Sequence, residues 1–259
     1  NSGNIFLNIL LKKPYDAHRL QAQLAFRKWH EEDTFYITLV QPRGPGAGMD
    51  GEGIQGQLNY LLQLLSKHIT HAVILYWPPN LVLFSTENLL ESPFSKDLFQ
   101  QLVENNPVQV GASLPSPGLF HTPLLFHQAE YAIERGDLCH PEQAIHRFRD
   151  YAIDYLLTSD APLSEKIFAC MPEVRAMWEQ KKERGDEMFH TLKVFLDCER
   201  SVPNTAAALY LHRNTVVYRI KKIQNLLQCD LDDSRDRQYC WLSIHILELS
   251  EEEDKKRMG

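Results

Sequence analysis

The segment LHRNTVVYRIKKIQNLL, residues 211–227, contains the side chains of this sequence that are best suited to hold a polyanion. Its cations are Arg213, Arg219, Lys221 and Lys222. It contains no carboxylate, although the 259-residue chain carries a formal net charge of -7. The nearest acidic residues are Glu199 before it and Asp230 after it. Because screening at physiological salt limits the reach of a charge to about 8 Å, an acidic protein can still present a local basic face.

Helical spacing within this segment separates an apolar side from a polar side. The apolar positions at i, i+4, i+7 and i+11 are Val216, Ile220, Ile223 and Leu227. The polar positions of a second face are Thr215, Tyr218, Arg219 and Lys222. Asn214 stands where an N-cap is expected, since its side chain can accept from the first free amides. The pattern predicts a helix over residues 214–227 that buries one side and exposes the other.

A second, shorter helix is predicted just before the basic one. Residues 204–209 include three alanines, which allow close helix packing, and Leu211 then lies in a turn of three or four residues. This order predicts a helix-turn-helix motif, whose second helix enters the DNA major groove by its N-terminal part. Arg213 and Asn214 can pair there with guanine and adenine, at about 1–3 kcal/mol of discrimination per good pair. On charge pattern alone, an amphipathic helix with a merely solvated basic face is the alternative.

The residues TAAALYLHRNTVVYRIKKIQNLL resemble the C-terminal helix-turn-helix signature of the PucR/CdaR family of bacterial transcription regulators. The resemblance includes an aromatic residue, Tyr210, in a turn where a generic motif has glycine, and it extends into residues 191–200 and 236–249. It implies a cytoplasmic, sequence-specific transcription regulator that binds double-stranded DNA. The candidate DNA contacts are Thr205, His212, Arg213, Asn214, Thr215, Tyr218, Arg219, Lys221 and Lys222.

The N-terminal half alternates strand and helix signals. Strands are predicted at residues 35–41, 71–77, 81–85 and 108–113, and helices around Leu58 and over residues 93–104 and 123–135. From Pro141 onward strand signals almost disappear, and successive helices are predicted. The predicted fold class is α+β, a cyclase/ferredoxin-like α+β sandwich followed by an all-α helix-turn-helix domain. The predicted boundaries are 1–140 for the sandwich with its N-terminal helices, 141–185 for a helical connector, 186–250 for the DNA-binding domain and 251–259 for a solvated charged tail.

The sandwich also has a weaker similarity to the degenerate, GGDEF-like cyclase domain of the same family, in LNILLKKPYDAHRL, FYITLV and VGASLPSPGLFHTPLLFHQAEYAIERG. A catalytic cyclase needs carboxylates that hold metal at the end of the first strand and in the central hairpin. This chain has VQPRG and YWPPNLV at those places. We therefore expect a domain without enzyme activity that dimerises or relays a signal.

Partners follow from the motif and from the resemblance. A homodimer on a two-fold site is expected, because one recognition helix reads only a few base pairs. The sandwich and the apolar helices between residues 141 and 180 are candidate dimer surfaces. The sequence lacks an initiator Met and is expected to be a piece of a longer protein. The resemblance implies that a small-molecule effector acts through a sensor in a missing N-terminal domain.

Other motifs receive plainer interpretations. GAGMDG, residues 46–51, fits G-x-G-x-x-G, but four residues separate its first glycine from the predicted strand, so a mobile surface loop is favoured over a dinucleotide site. Two short His and Cys groups, around residues 68–71 and 139–146, offer too few ligands for a metal site. We therefore expect no cofactor and no metal. Five cysteines without a C-x-x-C pair favour a reducing compartment, and neither a membrane span nor a signal peptide is expected.

A function of a different class stays open. The chain can instead be a non-catalytic nucleotide- or metabolite-binding signalling module that acts through protein partners, with its basic helix docked on an acidic surface. A nucleotide that raises the melting temperature, where duplex DNA does not, would favour this alternative.

Overall fold

The computed structural model describes residues 4–43, 51–184 and 187–258, and the chain separates into two compact units, Asn1–Tyr151 and Ala152–Gly259. The strands are β1 (Thr34–Pro42), β2 (Val73–Trp77), β3 (Asn80–Ser85), β4 (Val108–Ala112), β5 (Ser116–Pro117) and β6 (Ile145–Arg147). The helices of the first unit are α1 (Ile5–Leu10), α2 (Ala17–Arg27), α3 (Gly51–His68), α4 (Lys96–Asn105) and α5 (Thr122–Cys139). Those of the second unit are α6 (Ala152–Thr158), α7 (Leu163–Lys166), α8 (Pro172–Arg184), α9 (Met188–Asp197), α10 (Val202–Leu209), α11 (Arg213–Leu227) and α12 (Ser234–Met258).

The sheet of the first unit has the strand order β2-β3-β1-β4-β6. β1 pairs antiparallel with both β3 and β4, and β2 pairs antiparallel with β3. With α3 and α4 as the crossovers, this is the βαββαβ arrangement of ferredoxin-like folds. β6 extends the sheet by pairing in parallel with β4. The predicted α+β class, followed by an all-helical region, is confirmed.

Side-chain alternation along the strands builds a core on each face of the sheet. On one face Phe35, Ile37 and Leu39 of β1 join a cluster with apolar residues of α1, α2 and α5. On the other face Val40 joins a cluster with apolar residues of α3 and α4. Because successive side chains of a strand point to opposite faces, one strand sequence supplies both layers. The helices that cover both faces leave the sheet as the centre of three layers.

α12 is the central element of the second unit and contacts α6, α7, α8 and α9. Tyr239 donates its hydroxyl to the carbonyl oxygen of Ala169 at 2.8 Å, and the Ser243 hydroxyl oxygen accepts from the Met171 amide at 2.8 Å. Burial raises the pKa of the Cys170 thiol to about 12 and also raises that of Cys240. Both thiols are therefore protonated at neutral pH and pack as small apolar groups.

Three stretches differ from the sequence-based prediction or fall outside the described residues. β6 lies within the range predicted to be helical, since three residues are too few to show a strand period. Residues 251–258, predicted as a solvated tail, are the helical end of α12; residues 252–256 are exposed, and Glu251 pairs with Lys181 at 3.2 Å and with Lys255 at 2.9 Å. The glycine-rich segment 44–50 is outside the described residues, and Gly51 begins α3. Within the described ranges, no helix has the length and apolar content needed to cross a bilayer.

A buried histidine joins β6 to α5 in the first unit. His146 is 1% exposed, and its Nδ1 lies 3.2 Å from the Tyr151 hydroxyl. A Cβ added to Gly136 of α5 would lie 2.1 Å from the same nitrogen. The imidazole can therefore occupy this position only because residue 136 is a glycine. Burial lowers the pKa of His146, although the nearby carboxylate of Asp137 opposes the shift. The neutral imidazole is therefore the form that the folded unit favours.

Acidification is expected to destabilise the first unit through His146. Because its folded-state pKa lies below its unfolded-state pKa, the unfolded chain binds the proton first as the pH falls through about 6.5. The melting temperature, measured by calorimetry at about pH 7.5 and about pH 5.5, should fall more in the parent than in His146→Gln. The matched control is His18→Gln at an exposed position of α2, which should keep the parental pH dependence. An unchanged pH dependence in His146→Gln would show that other groups cause the effect.

Candidate nucleic-acid interface

Three helices of the second unit form a compact cluster in which α9, α10 and α11 contact one another pairwise. α10 is capped at its start by Ser201, whose hydroxyl oxygen accepts from the Asn204 amide at 3.3 Å. Ala206 is the alanine of α10 that packs inward, while Ala207 and Ala208 are exposed. The predicted short helix is thus present, two residues longer at its start than residues 204–209.

The turn between α10 and α11 contains Tyr210, Leu211 and His212. Tyr210 adopts the left-handed conformation with φ 54°, and its amide donates to the carbonyl of Ala207 at 3.3 Å. The Leu211 amide donates to the carbonyl of Ala206 at 2.9 Å. These bonds satisfy the last carbonyls of α10 and direct the chain into α11 after three residues. The predicted tight turn is confirmed.

α11 buries the side that its sequence period predicts. Its buried residues are Val216, Ile220, Ile223 and Leu227. The predicted N-cap was wrong, because His212 holds that position and its Nδ1 accepts from the Asn214 amide at 3.2 Å. Asn214 lies one residue inside the helix, so its side chain is not used for capping. The side-chain carboxamide of Asn214 therefore does not cap the helix, and it is exposed at the leading end of α11.

The exposed residues of the first two and a half turns of α11 and of its N-cap form a surface with three cations and no carboxylate, which we call the α11 face. Its exposed residues are His212, Arg213, Asn214, Thr215, Tyr218, Lys221 and Lys222. Across the described part of the chain, no carboxylate forms an ion pair with Arg213, Lys221 or Lys222. Three cations along one helix, without neutralising partners, suit a row of phosphates.

Two of the predicted contacts lie elsewhere. Thr205 is fully buried, and its hydroxyl donates to the carbonyl oxygen of Ser201 at 2.8 Å, so this side chain stabilises the start of α10 inside the unit. Arg219 forms an ion pair with Glu187 and donates to the Thr191 hydroxyl at 3.2 Å. The sequence stretch has no acid of its own, but the fold brings one to it from the start of α9.

Tyr210, which is not among the predicted DNA contacts, is exposed beside the α11 face. Tyr210 is 96% exposed, at the turn that leads into α11. Its ring is therefore open to solvent next to the start of α11. The family-like aromatic at this position was the signal that could have identified it.

The chain that follows α11 is fixed by two arginines. Arg200 donates to the carbonyl oxygen of Leu231 at 3.2 Å, and Arg237 donates to the same oxygen at 2.8 Å. Leu231 itself is buried. Both ends of α11 are therefore anchored, by the turn at its start and by this loop at its end, so that the α11 face is held on a rigid element.

The end of β1, where a catalytic cyclase would hold metal, has a different arrangement. Arg43 follows β1 and donates to Asp137 of α5 at 2.8 Å, and Gln109 donates to the same carboxylate at 2.6 Å. Partial burial opposes ionisation of Asp137, but these hydrogen bonds lower its pKa. The carboxylate is thus bound to a cation. Among the described residues, no group of three or more His, Cys, Asp or Glu is placed to hold a metal ion.

One protein-family model and two curated proteins are similar to parts of this chain. A protein-family model described as the PucR C-terminal helix-turn-helix domain matches residues 188–246. The Purine catabolism regulatory protein of Bacillus subtilis (strain 168) is 34% identical over 70 residues, which are 27% of this chain and 13% of that protein. The Proline-responsive transcriptional activator PutR of the same organism is 32% identical over 66 residues, which are 26% of this chain and 16% of that protein. The resemblance to the PucR family is therefore confirmed, in a segment that spans a minor part of both curated relatives.

A solved structure resembles the chain over most of its length. The crystal structure of a regulator of polyketide synthase expression from Bifidobacterium adolescentis has a TM-score of 0.54 with 16% sequence identity. The similarity covers 95% of this chain and 91% of that chain. At this identity the match concerns the fold, and it agrees with an α+β unit followed by a helical one.

Proposed function

We propose that this chain, whose residues 188–246 carry a PucR-type C-terminal helix-turn-helix domain, is the DNA-binding part of a transcription regulator. The observation that carries the proposal is the α11 face: exposed cations without carboxylate partners, on a helix anchored by a fully apolar stripe. α11 enters the major groove with Arg213, Asn214 and Thr215 leading. Lys221 and Lys222 lie further along and contact phosphates, which set the register of the helix on the duplex.

The assembly that we propose is a homodimer on a two-fold DNA site, in the cytoplasm. A single α11 contacts only a few base pairs, so two copies are needed for a site that is rare in a genome. A small-molecule effector acts through a region outside this sequence. The first unit serves as a non-catalytic dimerisation or relay domain, which agrees with the arginine-bound carboxylate at the end of β1.

The test is binding of the purified chain to random-sequence duplex DNA, followed by fluorescence anisotropy at about 50 and 200 mM salt. The parent should bind tightly at low salt and weakly at high salt, since binding releases counterions from the duplex. Lys221→Ala/Lys222→Ala should reduce the slope of log K against log salt by about 1.8 per protomer, which is about 0.9 for each lost phosphate contact.

The matched control is Lys255→Ala/Lys256→Ala, which removes two adjacent exposed lysines from α12 of the same unit. It should keep the parental salt slope. If both double variants lose binding equally, general charge causes the attraction and the α11 face is not the interface. If the parent does not bind DNA at either salt and a nucleotide raises its melting temperature, the signalling-module alternative is favoured.

A further inference from the structure

Arg219 differs from the other cations of α11 in where its side chain lies. It is 18% exposed, and both of its terminal nitrogens have partners on α9 or at its start. One nitrogen pairs with Glu187, and the other donates to the hydroxyl of Thr191, which is fully buried. Lys221 and Lys222, by contrast, are exposed. Arg219 is therefore held against α9, by one buried and one exposed partner, and is not displayed with the other cations.

The two partners of Arg219 are four residues apart, one turn of helix, and lie on one side of α9. The Thr191 amide donates to the carbonyl oxygen of Glu187 at 2.9 Å, so the pair is held together by the first turn of that helix. Glu187 is also the N-cap residue of α9, where a negative charge is favoured by the helix dipole. A planar guanidinium bound at two points defines an orientation, which a lysine ammonium cannot do.

The apolar stripe fixes which side of α11 is buried, and Arg219 adds polar contacts to that packing. Val216, Ile220, Ile223 and Leu227 are aliphatic, and their contacts have no directional preference. Successive residues of a helix are about 100° apart, so a modest rotation would displace the Arg213 and Asn214 side chains from the base edges they face. Bidentate base contacts depend on such placement. The guanidinium bridge to Glu187 and Thr191 supplies the directional contact that the stripe lacks.

On the basis of the function proposed above, we propose that Arg219 is a positioning residue that fixes the rotation of α11 for base recognition and is not a phosphate contact. The competing account is that DNA draws Arg219 away from Glu187, so that Glu187 weakens binding by competing with phosphate. The two accounts predict opposite effects of Glu187→Gln on DNA binding. Removal of the Glu187 charge impairs base discrimination in the first, and adds one phosphate contact in the second.

The experiment compares Arg219→Ala, Thr191→Val and Glu187→Gln with Lys222→Ala in the full chain. The probes are a duplex selected from a random pool by the parent and a random-sequence duplex, each measured by anisotropy at about 50 and 200 mM salt. Thr191→Val keeps the shape of the buried side chain, so it tests the bridge even if Arg219→Ala folds poorly. Amide hydrogen exchange of residues 213–227 in the free variants adds a measurement that needs no DNA.

The positioning role predicts that Arg219→Ala and Thr191→Val lower the ratio of selected-duplex to random-duplex affinity by about tenfold or more. This is the loss expected when one good contact between a side chain and a base is removed. The salt slope for random DNA should stay within about 0.3 of the parent, well below the 0.9 of one phosphate contact. Glu187→Gln should lower the same affinity ratio. Exchange along α11 should quicken in these variants and not in Lys222→Ala, which should instead lower the salt slope and keep the ratio.

Three results would overturn the positioning role. A salt slope lowered by about 0.9 in Arg219→Ala would identify a phosphate contact. A slope raised by about the same amount in Glu187→Gln would identify a competing carboxylate. An unchanged affinity ratio in Thr191→Val and Arg219→Ala would leave only a stabilising contact. Each of these outcomes keeps DNA binding by the parent, whereas a parent that binds neither duplex would contradict the proposed function itself.

Discussion

Arg213→Ala/Asn214→Ala is expected to abolish sequence preference while it leaves most of the non-specific affinity. Both side chains are exposed at the leading end of α11, where a recognition helix meets base edges. Loss of two good base contacts costs about 2–6 kcal/mol, a reduction of at least about 30-fold in affinity for a selected duplex. Asn214 carries no charge, so the salt slope for random DNA should change by at most about 0.9, from Arg213 alone.

The matched control for this change is Gln224→Ala/Asn225→Ala, at exposed polar positions near the other end of α11. It should keep the preference for the selected duplex. Competition of labelled selected duplex against unlabelled random duplex measures both variants in one format. If the control and the leading-end variant lose the same fraction of specific affinity, the base contacts do not concentrate at the start of the helix.

Gly111→Ala is expected to destabilise the first unit more than any surface change. Gly111 lies in β4 opposite Leu39, and a Cβ there would lie 2.3 Å from the carbonyl oxygen of Ala129 and 2.7 Å from Ile133 Cγ1. The nearest atom belongs to the backbone of α5, so relief requires the helix to move away from the sheet. We expect a loss of about 3 kcal/mol or more, at the upper end of overpacking effects.

Calorimetry should register this loss as a decrease of roughly 6–12 °C in the melting temperature of a unit of this size. Gly56→Ala is the matched control, because Gly56 is an exposed position of α3 with nothing within 4 Å of an added Cβ. Alanine is favoured over glycine inside a helix by about 1 kcal/mol, so the control should be as stable as the parent or more so. Equal melting temperatures for the two variants would mean that α5 adapts without cost.

Much of the fold could be predicted because its signals are local. The order of strands and helices in the first unit follows from β-branched runs and helical periods, and the pairing observed for β1 to β4 is that of the predicted ferredoxin-like class. The four buried residues of α11 could be named in advance, since helical geometry alone decides which side chains share a side. Short elements gave no such signal, and β6, with three residues, was missed.

The capping of α11 and the length of α12 were not given by residue type. Asn214 is a favoured capping residue by type, yet His212 caps the helix because the turn after Tyr210 places it there. The charged run at 251–258 was predicted as a solvated end; residues 252–256 are exposed, but the run is helical and its first residue, Glu251, pairs with Lys181 of α8. Residue type alone indicated neither the capping residue nor the length of the last helix.

The sequence by itself determined that one helix would have an apolar side and an acid-free basic side, because both properties depend on residue types and on a fixed helical period. Only the tertiary structure decided which of those cations stay available. Arg219 is separated by 28 and 32 residues along the chain from Thr191 and Glu187, and no period relates them. The packing of α9 against α11 brings the three side chains together. Pairing between residues so far apart along the chain depends on the tertiary structure and cannot be read from the sequence pattern.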